Sequence, residues 1–387
     1  MSRTSSLRIA ILAHSTNPRG GVVHALELAD ALVALGHEAV VHAPDSKGKG
    51  FFRRTACGTV CVPASPVGSD TTEMVKARIG DYVRHFENKD HRQFDVFHAQ
   101  DGISGNALAT LKERGLIQRI ARTVHHVDHF ESAALMDLQA RAIRAADMHF
   151  VVSRKWRDWL AERFGVDAKI IGNGVDMTRF HPRPDDRDRV LRKRLGLGRG
   201  PVVLCIGGIE ARKNTIASLE SFQEVRRVHP HAQLIIAGGA SLLDHGAYQQ
   251  SFADALASNG LPANTVVCAG PLAQDDMPAL YRIADVLAFP SLKEGFGLVV
   301  IEAMASGVPV VVSKIAPFTE YLGADDVAWC DPHDTASIAR AILAALCEPL
   351  RGRLIAAGLE IAPKHDWRHT ARAHLAAYER LTEESYA

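Results

Sequence analysis

The sequence predicts an α/β protein made of two doubly wound domains that face a central cleft. Three observations predict it. Short β-branched runs alternate with longer amphipathic runs along most of the chain. A segment rich in proline, glycine and charge, Thr178–Gly200, breaks this alternation, which then restarts. The length of 387 residues suits two domains at roughly 100–200 residues each.

In the first half the expected strands are Arg8–Leu12, Ala39–His42, Val60–Val62, Asp95–His98, Ile120–Val124, His149–Val152 and Lys169–Ile171. Helical patterns lie between most of them. In Val22–Leu35, for example, Leu26, Ala29, Leu32 and Val33 share one face and Gly36 is the stop signal. Strands separated by helices imply βαβ units and a parallel sheet covered on both faces. Thr178–Gly200, with Pro182, Pro184, Gly198 and Gly200, reads as a linker holding a short charged helix. The second half continues with strand Val202–Ile206, helix Asn214–Val228, strand Gln233–Ala237, a helix around Gln249–Ser258, strand Thr265–Cys268 and helix Asp275–Ala284. Strand Val286–Phe289, helix Val299–Ala305, strands Pro309–Ser313 and Val327–Trp329, and helices from Thr335 onward complete it. The expected boundaries are 1–176 for the first domain, 177–200 for the linker and 201–365 for the second domain. Ligands of such sheets bind beyond the carboxyl ends of the strands.

Composition narrows the function classes. Hydrophobic residues at 47% and charged residues at 23% suit a soluble protein with sizeable cores. The net charge is 45 − 44 = +1, so no global charge points to nucleic acid or anionic lipid. Of six cysteines, Cys205 and Cys268 sit in apolar runs and read as small buried hydrophobes. Cys57 and Cys61 have no second pair to complete a zinc site. Ser2 and Arg3 lead into Leu7–Ala13, an apolar run too short for a secretory signal, and no stretch reaches the ~18 apolar residues of a membrane span. The expected location is the cytoplasm.

The segment that carries most chemistry runs from Phe289 to Val311. A strand ends at Phe289. The loop after it holds Glu294, Gly295 and Gly297, and a helix follows until Gly307 and Pro309 stop it. Glycines at a helix N-terminus let backbone N–H groups approach an anion closely. Glu294 lies in the loop and Glu302 eight residues on, within the helix, so the two carboxylates are placed to accept from different sets of hydroxyls.

Glu294 and Glu302 resemble the E-x7-E motif of glycosyltransferase family 4, and Tyr281-Arg-Ile-Ala-Asp-Val and Gly307-Val-Pro-Val-Val-Val-Ser extend the similarity on both sides. The resemblance implies the GT-B architecture, two Rossmann-like domains facing a cleft. It also implies retaining transfer of a hexosyl group from a nucleotide-sugar, with a UDP-, GDP- or ADP-sugar as donor and no required metal or other cofactor. The acceptor is left open as a glycan, a lipid or a small molecule, and no nucleic acid is implied as partner. In relatives the first glutamate contacts sugar hydroxyls, the second holds the ribose, and N–H groups from Gly295, Phe296, Gly297 and Leu298 meet sugar and phosphate. The segment from Trp367 to Tyr378 looks like the helix (366–387) that returns to the first domain in relatives.

Four further stretches take their roles from this resemblance. Gly207-Gly-Ile-Glu-Ala-Arg-Lys-Asn214 follows a strand, and paired cations there compensate a departing diphosphate. Lys213 fits the family's lysine, but Gly208 stands where the family has an arginine. Arg212 either takes over that charge or points elsewhere. Asn17-Pro-Arg-Gly20-Gly21-Val places a Gly-Gly turn at a helix start, beside donor phosphates and acceptor in relatives; a plain turn has the same sequence. In Thr123-Val-His125-His126-Val-Asp128-His129, the resemblance puts His125 near the reacting centre, and a metal reading of the cluster is not favoured. Pro271 and Leu272 fall on the base-binding loop, and Asp101 on an acceptor-side position that a solvated loop aspartate also fits. The expected catalytic residues are His125, Lys213 and Glu294.

Two basic–aromatic stretches raise peripheral membrane contact, which is not favoured. Lys47–Arg54, with Phe51 and Phe52, reads as a mobile acceptor-side loop. Arg154–Arg163 reads as a helix burying Trp156 and Trp159. Rival readings are a glycan phosphorylase or nucleotide-sugar epimerase on the same scaffold, and a non-catalytic nucleotide-sugar binder. A binder is expected to lose some of Glu294, Lys213 and His125, yet all three are present. A nicotinamide dehydrogenase is disfavoured because neither domain opens with the G-x-G-x-x-G fingerprint.

Overall fold

The computed structural model of the protein describes residues 6–239 and 245–383. Ser2, Arg3 and the last residues of the expected 366–387 helix lie outside them. The chain divides into two compact units, one running to Gly174 and resuming at Trp367, the other Val175–Asp366.

The first unit comprises β1 (Arg8–Leu12), α1 (Gly20–Ala34), β2 (Glu38–Asp45), β3 (Gly58–Pro63), α2 (Thr71–Glu87), β4 (Val96–Ala99), α3 (Gly102–Glu113), β5 (Ile120–Val124), α4 (Ala133–Arg144), β6 (Met148–Val151), α5 (Arg154–Phe164) and β7 (Ala168–Ile170). The second comprises α6 (Asp186–Arg194), β8 (Val202–Ile206), α7 (Thr215–Val228), β9 (Gln233–Ala237), α8 (Gly246–Ser258), β10 (Val266–Gly270), α9 (Met277–Arg282), β11 (Val286–Phe289), α10 (Leu298–Ala305), β12 (Val310–Ser313), α11 (Phe318–Tyr321), β13 (Ala328–Cys330), α12 (Thr335–Leu346) and α13 (Leu350–Ile361). The last helix, α14 (Trp367–Glu383), is part of the first unit.

Both sheets are parallel throughout. Their orders are β3-β2-β1-β4-β5-β6-β7 and β10-β9-β8-β11-β12-β13. Helices on both faces bury the central strands completely: every residue of β4, β5, β11 and β12 is buried. At ~1.5–3 kcal/mol per fully buried large apolar side chain, these strands hold the sheets together. Edge strands are wetter. Cys205 on central β8 is buried, whereas Cys268 on edge strand β10 is exposed, contrary to its apolar sequence context.

Side chains tie down two segments that sequence marks as loose. The helix of the Pro/Gly segment, α6, docks on α9 through a bidentate contact in which Arg282 donates to Asp188 at 2.8–3.1 Å. The Lys47–Arg54 loop, expected to be mobile, is held by Asp45, whose carboxylate accepts from the N–H groups of Lys47, Lys49 and Gly50. Arg53 is half-buried there and pairs with Glu27 at 2.9 Å. In α5 Trp156 is buried and lies edge-on to Trp159. Among the described residues no helix is long and apolar enough to cross a membrane.

α14 is tightly seated in the first unit. A Cβ at Gly174 would collide with the backbone of Trp367, and Thr370 Oγ1 donates to the Ile171 carbonyl at 3.4 Å. Tyr378 is fully buried, with its hydroxyl 2.6 Å from His98 Nδ1.

Candidate functional site

In each sheet the strand order reverses beside the unit's first strand, between β1 and β4 and between β8 and β11. Loops leaving the carboxyl ends of such a pair diverge and open a crevice, the usual ligand position in this architecture. The loops of the second unit are Gly207–Asn214 after β8 and Pro290–Gly297 after β11. These hold the cations and the first glutamate of the sequence motifs.

The two loops are joined by an ion cluster. Lys213 Nζ donates to Glu294 Oε1 at 2.7 Å, and Arg212 Nη1 donates to the same oxygen at 2.9 Å. Arg212 also reaches the Lys293 carbonyl and Glu210, so its guanidinium is turned onto the glutamate loop. Burial alone would raise the Glu294 pKa; Lys213 and then Arg212 outweigh it and hold the carboxyl below its ordinary value. Burial draws the Lys213 ammonium down, against the pull of Glu294. The Lys213 ammonium also sits 4.4 Å from the centre of the Phe289 ring. Counting Glu210, the cluster carries two cations and two carboxylates, with both cations drawn onto the single Oε1 of Glu294.

Asn214, which the sequence motif contains but does not explain, sets this geometry. It takes a left-handed conformation (φ 59°), and its amide donates to the carbonyls of Pro290 and Pro332, strapping the β8 loop to the ends of β11 and β13. Leu292 N–H donates to the Arg212 carbonyl at 2.9 Å and closes the second link. Gly208 explains its own departure from the family arginine. Its φ is +76°, and a Cβ there would lie 2.8 Å from the Gly239 carbonyl oxygen, so no side chain fits. The β8 and β9 loops touch at this point, and Pro271 on the β10 loop packs on Gly239. Pro271 is exposed and Leu272 half-buried.

Beyond Glu294 the chain turns into α10. Phe296 is buried and stacks on Tyr321 at 4.8 Å, so only its backbone can meet a ligand; Tyr321 Oη donates to its carbonyl at 3.1 Å. Gly295 lies beside it, and Gly297 (φ +96°) is the N-cap, followed by Leu298 at the first helical position. No side chain caps this terminus and its first turn holds no acidic residue, which leaves its N–H groups for an anion. Glu302, one turn further along, accepts from the fully buried Tyr281 hydroxyl at 2.6 Å.

In the first unit, Gly20 and Gly21 open α1, and Gly21 lies against the His125 ring. His125 leaves the end of β5 half-buried, with Nε2 2.9 Å from Gln100 Oε1 and its ring edge-on to His24 at 4.7 Å. Burial, then His24, pushes its pKa well below the ordinary value. Asp101 caps α3, its Oδ1 accepting from Ser104 N–H at 2.9 Å; His14 Nδ1 lies 3.8 Å from Oδ2. Arg122, buried beneath, donates to the Asp101 carbonyl. His126 pairs with Asp128 at 3.2 Å. The polar residues that sequence reasoning missed are Gln100, His24, Asn214 and Tyr281 in these contacts. Tyr281 and Asn214 carried a signal, each as part of a run that resembles the family's motifs.

Two family models match the chain. "Glycosyl transferases group 1" matches residues 187–360 and "Glycosyltransferase Family 4" matches residues 18–179, so together they take in most of both units. The chain belongs to glycosyltransferase family 4. It is 29% identical, over 90% of each chain, to the GDP-mannose-dependent alpha-(1-6)-phosphatidylinositol monomannoside mannosyltransferase of Mycolicibacterium smegmatis. It is 28% identical to the D-inositol 3-phosphate glycosyltransferase of Acidothermus cellulolyticus, over 74% of this chain and 67% of that one. The fold is that of sucrose-phosphate synthase from Thermosynechococcus elongatus (TM-score 0.80, 21% identity, 98% and 100% coverage). It is equally that of Anabaena HepE in complex with UDP-glucose (TM-score 0.78, 20% identity, 97% and 100% coverage). The GT-B arrangement of two Rossmann-like sheets and the assignment as a glycosyltransferase both stand on these matches. Within the family frame, the β8–β11 crevice falls in the group 1 match, together with Lys213, Glu294 and Glu302.

Proposed function

We propose that this glycosyltransferase transfers a hexosyl group from a nucleotide-sugar to an acceptor hydroxyl with retention of configuration. The observation that carries the proposal is the sharing of Glu294 Oε1 by Lys213 and Arg212, beside the uncapped N-terminus of α10. Both cations sit on one oxygen, which leaves Oε2 to accept from sugar hydroxyls. The Lys213 ammonium has further N–H donors for a diphosphate, and the N–H groups from Gly295 to Leu298 supply more. Arg212 contributes positive potential from the rim. Glu302, oriented by Tyr281, accepts from the ribose, and the base lies along Pro271 and Leu272.

The first unit is assigned to the acceptor side, with Asp101 near the acceptor and His125 reaching the transferred sugar. The Gly20–Gly21 turn is assigned to the phosphates. In the reaction the bond from the anomeric carbon to the phosphate oxygen breaks, and a bond to the acceptor oxygen forms on the same face. The acceptor proton passes to the departing phosphate. Lys213 and the helix terminus stabilise the charge that develops there, and with these in place the reading requires no metal. The relatives named for GDP-mannose and crystallised with UDP-glucose support a nucleotide-sugar donor.

A thermal-shift and hydrolysis screen against uridine, guanosine and adenosine diphosphates and their sugars tests the donor class. A nucleotide at about a hundred times its Kd adds ~2.7 kcal/mol of stability. One base is expected to raise the melting temperature and to release its diphosphate when supplied as the sugar. No stabilisation by any of them contradicts the proposal.

A further inference from the structure

A chain of buried polar side chains runs behind His125 in the first unit. Gln100, 3% exposed, follows β4 and lies with its Oε1 2.9 Å from His125 Nε2. Its amide nitrogen is 3.4 Å from Nδ1 and 3.3 Å from Nε2 of His98. Such near-equal distances place the amide over the imidazole face, out of line with either lone pair. His98 is fully buried, and both its ring nitrogens are already engaged, Nε2 with Thr123 Oγ1 at 2.8 Å and Nδ1 with Tyr378 Oη at 2.6 Å.

These contacts settle which way the Gln100 amide points. The face of an aromatic ring is electron-rich, so it takes an N–H and repels a carbonyl oxygen. The nitrogen therefore faces His98 and the oxygen faces His125. An oxygen cannot donate, so His125 Nε2 must carry the proton. In a neutral imidazole the other nitrogen, Nδ1, is then the acceptor. The His125 ring makes no second hydrogen bond among the described residues. Its titratable and charged neighbours include His24, His126, Arg122 and His14, with His98 behind Gln100, and each of them disfavours a charged ring.

We propose that Gln100 is a positioning residue that locks His125 in the tautomer protonated on Nε2, so that Nδ1 is presented as a hydrogen-bond acceptor toward the transferred sugar. The sugar contact rests on the role given to His125 above; the lock itself does not. The relay behind it ends on α14, through Tyr378, so the C-terminal helix supports the same tautomer.

The test is imidazole nitrogen NMR on full-length protein labelled in histidine, with His125 assigned by loss of its signals in His125→Gln. The expected wild-type pattern is a protonated Nε2 and an unprotonated Nδ1. In Gln100→Leu the two tautomers are expected to mix, with kcat falling roughly tenfold at unchanged Kd for the nucleotide. Gln100→Glu, whose carboxylate still accepts from Nε2, is expected to keep the tautomer and to raise the pH at which His125 becomes charged. It keeps the proposal testable if the leucine variant does not fold. A wild-type His125 protonated on Nδ1, or an unchanged tautomer in Gln100→Leu, overturns the lock. Mixed tautomers in Gln100→Leu with unchanged kcat uphold the lock and remove His125 from the sugar site.

Discussion

At Glu294 two cations meet one carboxylate oxygen, and the residue-scale consequences follow from which partner is replaced. Arg212, about a third exposed, is the outer cation, and Lys213, at 13%, the inner one. Solvent screens the first more than the second. Gly208 is the other decisive residue. Its backbone is left-handed, and the Gly239 carbonyl occupies the space a Cβ needs. Restoring the family arginine by Gly208→Arg is therefore expected to cost at least ~1–3 kcal/mol of stability and to give no gain in transfer. Denaturant midpoints and donor turnover check this; a stable, faster variant would show that the β8–β9 contact yields easily. The missing arginine was legible in the sequence. Its cause was not, because the obstructing carbonyl is some thirty residues away along the chain.

At the scale of elements, the alternation of β-branched and amphipathic runs located all the strands within a few residues. That signal is strong because parallel strands covered on both faces are almost wholly apolar. Edge strand β10 shows where it weakens, since Cys268 is exposed despite an apolar neighbourhood. The pairing of β8 with β11 is what brings Lys213 to Glu294, across 81 residues of sequence. Periodicity does not encode that pairing, so the bridging role of Asn214, the contact of Gln100 and the direction of Arg212 were beyond reach from sequence. α10 shows a further element-level effect. Its Glu302 carboxylate is held by Tyr281 from α9, and burial followed by Glu302 pushes the phenol well above its ordinary range, so it stays a donor. Tyr281→Phe removes a hydrogen bond to a charged group. It is expected to raise the donor KM by roughly tenfold or more with little change in kcat. Steady-state kinetics with the donor varied distinguishes this from a loss of kcat, which would place Glu302 at the reacting centre instead of the ribose.

At the scale of the whole molecule, the first unit is completed by its C-terminal helix and carries a set of buried neutral histidines. Burial pushes His24 down to about 4, and His42 and His374 down to about 3. Unfolded histidine takes up its proton near pH 6.5. Below that pH the unfolded chain binds more protons than the folded one, so stability falls as pH drops from about 6.5 toward 4. Urea midpoints across this range are expected to decline steeply. His42 has both ring nitrogens buried without a hydrogen-bond partner, against His85, Phe86 and Phe94. His42→Leu is therefore expected to flatten the decline without loss of stability at neutral pH; an unchanged slope would assign the acid sensitivity to other groups.

The proposed donor site in the β8–β11 crevice is tested most directly by single-turnover transfer by Lys213→Ala and Glu294→Ala. With the donor identified by the nucleotide screen, each variant is expected to remain folded and to lose about 100- to 1,000-fold in rate, the usual cost of removing one charge-stabilising group. Transfer by both variants at close to the wild-type rate would contradict it.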